Sequence, residues 1–283
     1  MTTELDPHED TETIIPGTPI WVDLATPDPV ASKEFYAELF GWTYEVDPVS
    51  GYIIASADAL PCGGIFGFTD RYLPPGWTVH LATGNAANTV DRVRASGGGV
   101  ALEPVFIAGQ GSLAVAIDPT GAAVGFLEPV PEWRFGTMFP NTFNWAELNT
   151  HDGETADKFY QHLFGFELEQ IGDGVDYDYT TWALRGDQVL GRLKMGPEFA
   201  PDHPSHWMVY FGVDPEMGTD LVANRAIRLG ARVTVEPFDS PFGRLAVIED
   251  VTGAVSTLID PSRTTTVVPE EVIGAEVDDP YDD

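Results

Sequence analysis

Trp21-Val-Asp-Leu-Ala-Thr-Pro-Asp28, running on into Phe35-Tyr36 and Leu39-Phe40-Gly41, is written a second time as Trp145-Ala-Glu-Leu-Asn-Thr-His-Asp152 with Phe159-Tyr160 and Leu163-Phe164-Gly165. The offset is 124 residues throughout, and nine of the 22 positions in 21–42 and 145–166 are identical. The copy continues beyond this stretch. Trp77 answers Trp207, Glu103-Pro104 answers Glu236-Pro237, and Asp118-x-Thr120-Gly121-Ala122 answers Asp250-x-Thr252-Gly253-Ala254, at offsets that drift from 130 to 133. Drift of that size is what loop insertions leave behind, so the chain is a tandem duplication. A weaker repeat lies inside each half: Asp23-Leu-Ala-Thr26 returns as His80-Leu-Ala-Thr83, and the same slot later reads Glu147-Leu-Asn-Thr150 and Tyr210-Phe-Gly-Val213. Four related modules are implied.

Each module begins with a strand signal. Pro19 to Thr26 alternates apolar with small or polar residues, the period-two pattern of a half-buried strand. Asp28 stands where a helix cap is needed, with Pro29 at the first helical position; Ala31, Phe35 and Leu39 form an apolar stripe, and Gly41 stops it. Short β-rich runs follow near 42–47, 51–57 and 62–68. Module two repeats the order, with a strand at 77–83, a helix at 86–96 ended by Gly97-Gly98-Gly99, and strands near 100–107, 112–118 and 122–128. The predicted fold class is therefore α+β, built from four βαβββ modules. The expected organisation is a disordered acidic tail over 1–14, a first domain over 15–130, a connection over 131–140, a second domain over 141–262 and a second disordered acidic tail over 263–283.

These residues resemble the vicinal oxygen chelate superfamily, which includes glyoxalase I, extradiol dioxygenases and bleomycin-resistance proteins. The resemblance rests on the strand followed by Asp-x-x-x-(Ser/Ala)-x-x-Phe-Tyr-x-x-Leu-Phe-Gly and on the closing Asp-x-Thr-Gly strand, and it covers nearly all of the chain between the tails. Among members it is most similar to the tandem glyoxalase-like proteins of actinobacteria, often labelled hydroxylases. It implies that paired modules curl into two cups that hold a small molecule, and that catalytic members bind a divalent metal there. It also implies ligand positions three residues before the recurring leucine and on the closing strands. Here those positions hold Trp21, Thr78, Trp145 and Met208, with Gly125 and Thr257. A divalent ion wants several imidazole or carboxylate donors at once, and these residues supply none. The expectation is no metal and no cofactor.

Two residues further along each first strand, and on the same face, stand Asp23, His80, Glu147 and Tyr210. If paired modules face each other, Asp23 meets His80 and Glu147 meets Tyr210. An Asp–His pair tunes a general base and a Glu–Tyr pair combines an acceptor with a donor, so these four are the candidate catalytic residues. The alternative is a satisfied polar pair in a barrel interior. Trp21, Trp77, Trp145 and Trp207 near the strand starts are candidates for stacking on a flat ligand, core packing being their other role. His206 stands at a strand mouth and Arg192 is the base expected to enter the second cup, to bind an anion or to form a structural salt bridge. His203, His151 and His162 read as surface residues. Cys62 has no partner base, and the glycine runs at 63–64 and 97–99 lack the spacing of phosphate loops.

Composition narrows the partners. Net charge is −31, from 45 acids against 14 bases, a field that repels nucleic acid and anionic membrane surfaces. Residues 4–12 carry five of the acids and 270–283 seven, neither with a Lys or Arg, and removing those twelve leaves the remainder near −19. No stretch approaches the ~20 apolar residues of a membrane span, and the start lacks a secretory signal, so a cytoplasmic monomer or homodimer is expected. One cysteine excludes an intrachain disulfide. Two function classes fit. One is a metal-independent isomerase, cyclase or lyase acting on a small aromatic or carbonyl- or hydroxyl-bearing metabolite, for example in natural-product metabolism. The other is a sequestering protein of the bleomycin-resistance kind.

Overall fold

The structure is a computed structural model that describes residues 14–70, 73–175, 177–197 and 199–264. Nearly all of both predicted acidic tails lies outside the described residues. Four modules follow one another. The first is β1 (Pro19–Thr26), α1 (Pro29–Phe40), β2 (Thr43–Val46), β3 (Ile53–Ala57) and β4 (Leu60–Gly67), and the second is β5 (Gly76–Ala82), α2 (Ala86–Ala95), β6 (Gly99–Ile107), β7 (Gly111–Ile117) and β8 (Ala123–Pro129). The third comprises β9 (Phe143–Thr150), α3 (Gly153–Phe164), β10 (Glu167–Ile171), β11 (Tyr179–Leu184) and β12 (Asp187–Lys194). The fourth comprises β13 (His206–Gly212), α4 (Gly218–Arg228), β14 (Arg232–Ser240), β15 (Gly243–Glu249) and β16 (Val255–Asp260). This is the expected α+β architecture of four βαβββ units. Among the described residues no helix is long and apolar enough to cross a membrane.

Each pair of modules makes one eight-stranded sheet, in the orders β2-β3-β4-β1-β5-β8-β7-β6 and β10-β11-β12-β9-β13-β16-β15-β14. The first strands of paired modules lie antiparallel at the centre, and each closing strand runs parallel beside its own first strand. That topology brings the four equivalent first-strand slots to the middle of two sheets.

The repeated motif accounts for the repeated helix. Asp28 Oδ1 accepts from the Ala31 N–H at 3.0 Å and Asp152 Oδ1 from Thr155 at 3.1 Å, quenching an otherwise unpaired first-turn donor. Gly41 (φ 76°) and Gly165 (φ 75°) end the helices in the left-handed region that glycine enters without strain. The Phe-Tyr pair in between ties the halves together. Tyr36 Oη donates to Asp250 Oδ2 at 3.1 Å and Tyr160 Oη to Asp118 Oδ2 at 3.0 Å, each crossing to the other half. Both acceptors are the aspartates of the Asp-x-Thr-Gly turns, whose other oxygen takes the backbone N–H groups of Thr120 and Ala122, or of Thr252 and Ala254.

One core therefore spans the molecule between the sheets, with Tyr36, Phe40, Trp42, Trp77 and Phe211 in mutual ring contact and Tyr160, Phe166, Trp182 and Trp207 answering them. Burial of rings of this size, at about 25 cal/mol per Å², is the main term holding the halves together.

Candidate functional site

Strand alternation sends Val22, Leu24, Val79 and Leu81 into the core and turns Trp21, Asp23 and His80 to the opposite face of the first sheet. The second sheet does the same with Ala146, Leu148 and Val209 against Trp145, Glu147 and Tyr210. The flanks of each sheet curl toward each other over this second face. Tyr52, just before β3, hydrogen-bonds Gln110 of the β6–β7 hairpin, and Tyr179 of β11 meets Phe242 of the β14–β15 hairpin at 5.6 Å between rings. Two cups result, one per half.

At the floor of the first cup His80 Nε2 stands 2.9 Å from Asp23 Oδ2, although the ring N–H is not aimed along that line. Asp23 Oδ1 accepts from Trp21 Nε1 at 3.0 Å and from the Tyr52 hydroxyl. Trp21 Nε1 also reaches the Tyr52 oxygen, at 2.8 Å. Glycines on the neighbouring strands make room for this network. Gly64 is the register partner of Asp23 and Gly125 that of His80; a Cβ at Gly125 would fall 1.9 Å from His80 Nδ1, and one at Gly64 would fall 2.0 Å from Asp23 Oδ1. The segment joining the halves closes the cup from above. Trp133 stands edge-on to Trp21 at 4.8 Å and donates from Nε1 to the Ile20 carbonyl at 3.0 Å, and Phe135 packs at 5.5 Å. Trp21 and His80 are each 2% exposed.

The second cup has the same frame with a different filling. Trp145 Nε1 donates to Tyr179 Oη at 3.0 Å, as Trp21 does to Tyr52, and Gly191 beside Glu147 leaves the room that Gly64 leaves beside Asp23. Among the described residues no cationic side chain pairs with Glu147. Burial pushes its carboxyl up from 4.5 to about 7, against hydrogen bonds from Tyr210 and Tyr179 that pull it down. Burial, reinforced by the Glu147 charge, holds both phenols well above their ordinary range, so they stay protonated donors. Tyr177 stacks on Tyr179 at 6.1 Å with an interplanar angle of 4°. The walls are open: Trp145, His206, Met208 and Tyr210 are only half-buried, although Glu147 itself is buried.

The structure thus brings Asp23 to His80 and Glu147 to Tyr210, and places Trp21 and Trp145 directly on these networks. His206 lies on the same face of the second cup, as the register partner of Asn149. Trp77 and Trp207, predicted to stack on a ligand, stand instead on the opposite face within the core, because one step along the strand from Thr78 and Met208 they pair with Leu24 and Leu148. Arg192 does not enter the second cup. It follows Gly191 on β12, so alternation turns it under α3, where it pairs with Asp157 at 2.8 Å and Asp178 at 2.7 Å; the structural salt bridge is the role it takes. His151, His162 and His203 are exposed, and Cys62 lies in the core with its thiol pushed up to about 12 by burial.

Sequence reasoning missed Tyr52 and Tyr179, Trp133 and Phe135, and Asn149. The two tyrosines share an offset of 127 residues with the pair Gly64 and Gly191, a signal that extending the repeat through β3 and β4 would have found.

The register also bears on metal binding. Gly125 and Thr257 pair with His80 and Tyr210, not with Thr78 and Met208. The positions to which the family resemblance points therefore belong to the Asp23, His80, Glu147, Tyr210 slot. That slot offers two donors in the first cup and one carboxylate in the second, and glycine or threonine stands on every closing strand. Among the described residues no three His, Cys, Asp or Glu side chains come together, and Asp23 Oδ1 is already committed to two donors. The residues present do not fit a chelated divalent ion.

No family model matches the chain. It is 33% identical over 262 residues to the putative glyoxylase CFP32 of Mycobacterium tuberculosis, covering 87% of this chain and 95% of that one. It is 34% identical over 269 residues to the anthracycline biosynthesis protein DauV of Streptomyces sp. (strain C5), covering 87% and 94%. Among solved structures, the Mn(II)-bound glyoxalase from Novosphingobium aromaticivorans superimposes with a TM-score of 0.62 at 17% identity, covering 89% of this chain and 86% of that one.

Proposed function

The chain belongs to the vicinal oxygen chelate superfamily, and from that premise we propose that it is a metal-independent enzyme of the isomerase, cyclase or lyase type. Its substrate is a small aromatic, carbonyl- or hydroxyl-bearing metabolite held in the second cup. The observation that carries this reading is Glu147, a buried carboxyl poised at about 7 between two tyrosine donors in a cup with half-exposed aromatic walls. A group at that value is as ready to take a proton as to return it near neutrality, which is the condition for efficient proton transfer. As carboxylate, Glu147 removes a proton from a carbon next to a carbonyl, and the C–H electron pair passes into the enolate. Tyr210 and Tyr179, released from the neutralised carboxyl, can donate to the enolate oxygen. Return of the proton to another position completes an isomerisation. The relative named for anthracycline biosynthesis supports a place in natural-product metabolism.

Hydrogen–deuterium exchange tests this. Aryl ketones such as 1-tetralone, incubated with the protein in D₂O, should gain deuterium next to the carbonyl, and Glu147→Gln should stop it. Tight binding of these ketones without exchange would favour the sequestering reading instead.

A further inference from the structure

One buried acceptor in the second cup has no partner among the described residues, and the atoms around it fix its orientation. His206 Nδ1 lies 3.0 Å from the Pro204 carbonyl, which can only accept; Nδ1 therefore carries the proton. Nε2 is left as the acceptor, and burial favours the neutral ring that this requires. Asn149 presents its Nδ2 to that Nε2 at 3.3 Å, which fixes which way the amide points. Its Oδ1 then faces away from His206, and this atom is buried with no hydrogen-bond partner among the described residues, in a residue 3% exposed. An amide oxygen so placed forfeits the hydrogen bond it had in water unless something supplies a donor.

Its position shows what could. Asn149 and His206 form a cross-strand pair on the cup face, next along β9 and β13 from Glu147 and Met208, and beyond them from Trp145 and Tyr210. In the first half the same pair of positions, Ala25 and Gly76, carries no polar side chain. The polar end is thus an addition peculiar to the cup that stays open.

The geometry points to Asn149 Oδ1 as a specificity-determining acceptor for a hydroxyl or N–H group on the molecule bound over Glu147. This inference rests on the second cup being the ligand site. It adds that the ligand carries a hydrogen-bond donor at the end remote from Tyr210, with His206 as the residue that orients the amide.

The test uses two probes of one shape, 2-naphthol and 2-methoxynaphthalene, of which only the first can donate. Calorimetry on the whole chain should show 2-naphthol binding roughly five- to tenfold more tightly, the ratio that a single net hydrogen bond supports. Asn149→Leu should bring 2-naphthol down to the affinity of the ether and leave the ether unchanged. A measurement on the unmutated protein guards against misfolding of that variant: the Asn149 side-chain amide resonance should shift with 2-naphthol and stay put with the ether. A preference that survives in folded Asn149→Leu, or an amide resonance indifferent to both probes when they bind, overturns the inference and leaves the cup reading standing. If neither probe binds, the cup reading itself falls and takes the inference with it.

Discussion

The two cups are built on one frame and finished in opposite ways. Trp21 and Trp145, Tyr52 and Tyr179, and Gly64 and Gly191 occupy equivalent places and make equivalent contacts. On that frame the first cup carries a carboxylate facing an imidazole, roofed by Trp133 and Phe135 of the connecting segment. The second carries a carboxyl facing only phenols, under walls that remain half-exposed. A buried acid that takes hydrogen bonds from Trp21 and Tyr52 and faces an imidazole is answered inside the protein, and the structure gains nothing from exposing it. A buried acid without an imidazole beside it holds a proton near neutrality and has a use for a molecule that enters. Duplication supplied two floors, and on the proposed reading what stands above and beside each one assigns the chemistry to the second.

The largest expected effect breaks the comparison if it fails. Glu147→Gln keeps the shape of the second floor and removes its ability to exchange a proton, so turnover in the exchange assay should drop about 10²- to 10⁴-fold. Asp23→Asn in the roofed cup should leave turnover within a few-fold of the parent once the folded fraction is matched by circular dichroism. Equal losses in both variants would mean that the cups share the chemistry.

The shared frame was legible in the sequence; the division between the cups was not. The 124-residue repeat carried the modules and the helices, and period-two alternation carried the Asp23, His80, Glu147, Tyr210 slot onto one face of two sheets. The failures have a physical pattern. Trp77 and Trp207 were placed at the ligand by proximity to strand starts, although a shift of one residue from Thr78 and Met208 sends a side chain to the other face. Arg192 went wrong for the same reason, one step from Gly191. Trp133 and Phe135 were unreadable because a connecting segment has no period, and its packing depends on where the sheet it spans happens to curl.

The next effect appears in stability against pH. Glu147 is raised in the folded chain from 4.5 to about 7, so the folded state favours its protonated form. The stability this gives is complete below about pH 4.5 and is lost as pH rises through 7, and a shift of that size corresponds to about 3 kcal/mol. Urea unfolding of the parent and of Glu147→Gln across pH 4.5 to 8 should therefore show the parent losing stability relative to the variant, other carboxylates cancelling in the difference. Parallel curves would remove the raised carboxyl, and with it the contrast between the floors.

Opening the roofed cup should cost less. Trp133 is half-buried and holds its place through the Trp21 edge contact and the bond to the Ile20 carbonyl, so Trp133→Ala should lower stability by about 2 kcal/mol. It should also expose His80. In the parent, diethylpyrocarbonate should modify His206 and spare His80, and in Trp133→Ala it should modify both, read by peptide mapping. If His80 stays protected with Trp133 gone, the connecting segment is not what closes the first cup.

The smallest effect sharpens the comparison most, because it isolates one hydrogen bond on the same frame. Tyr210 donates to Glu147 and lowers its pKa against the larger effect of burial. Tyr210→Phe removes that donor and little volume, so the carboxyl should titrate above 7 by up to about one unit, the size of a hydrogen bond to a charged acceptor. Glu147 acts as a base only when ionised; the rising limb of kcat/KM against pH should therefore have its midpoint near 7 in the parent and move to higher pH in the variant. Tyr52→Phe removes the corresponding donor from Asp23 in the first cup and should leave that limb where it was. A limb that moves with Tyr52 and not with Tyr210 would assign the titrating base to the roofed half, and a limb that moves with neither would separate catalysis from both carboxyls.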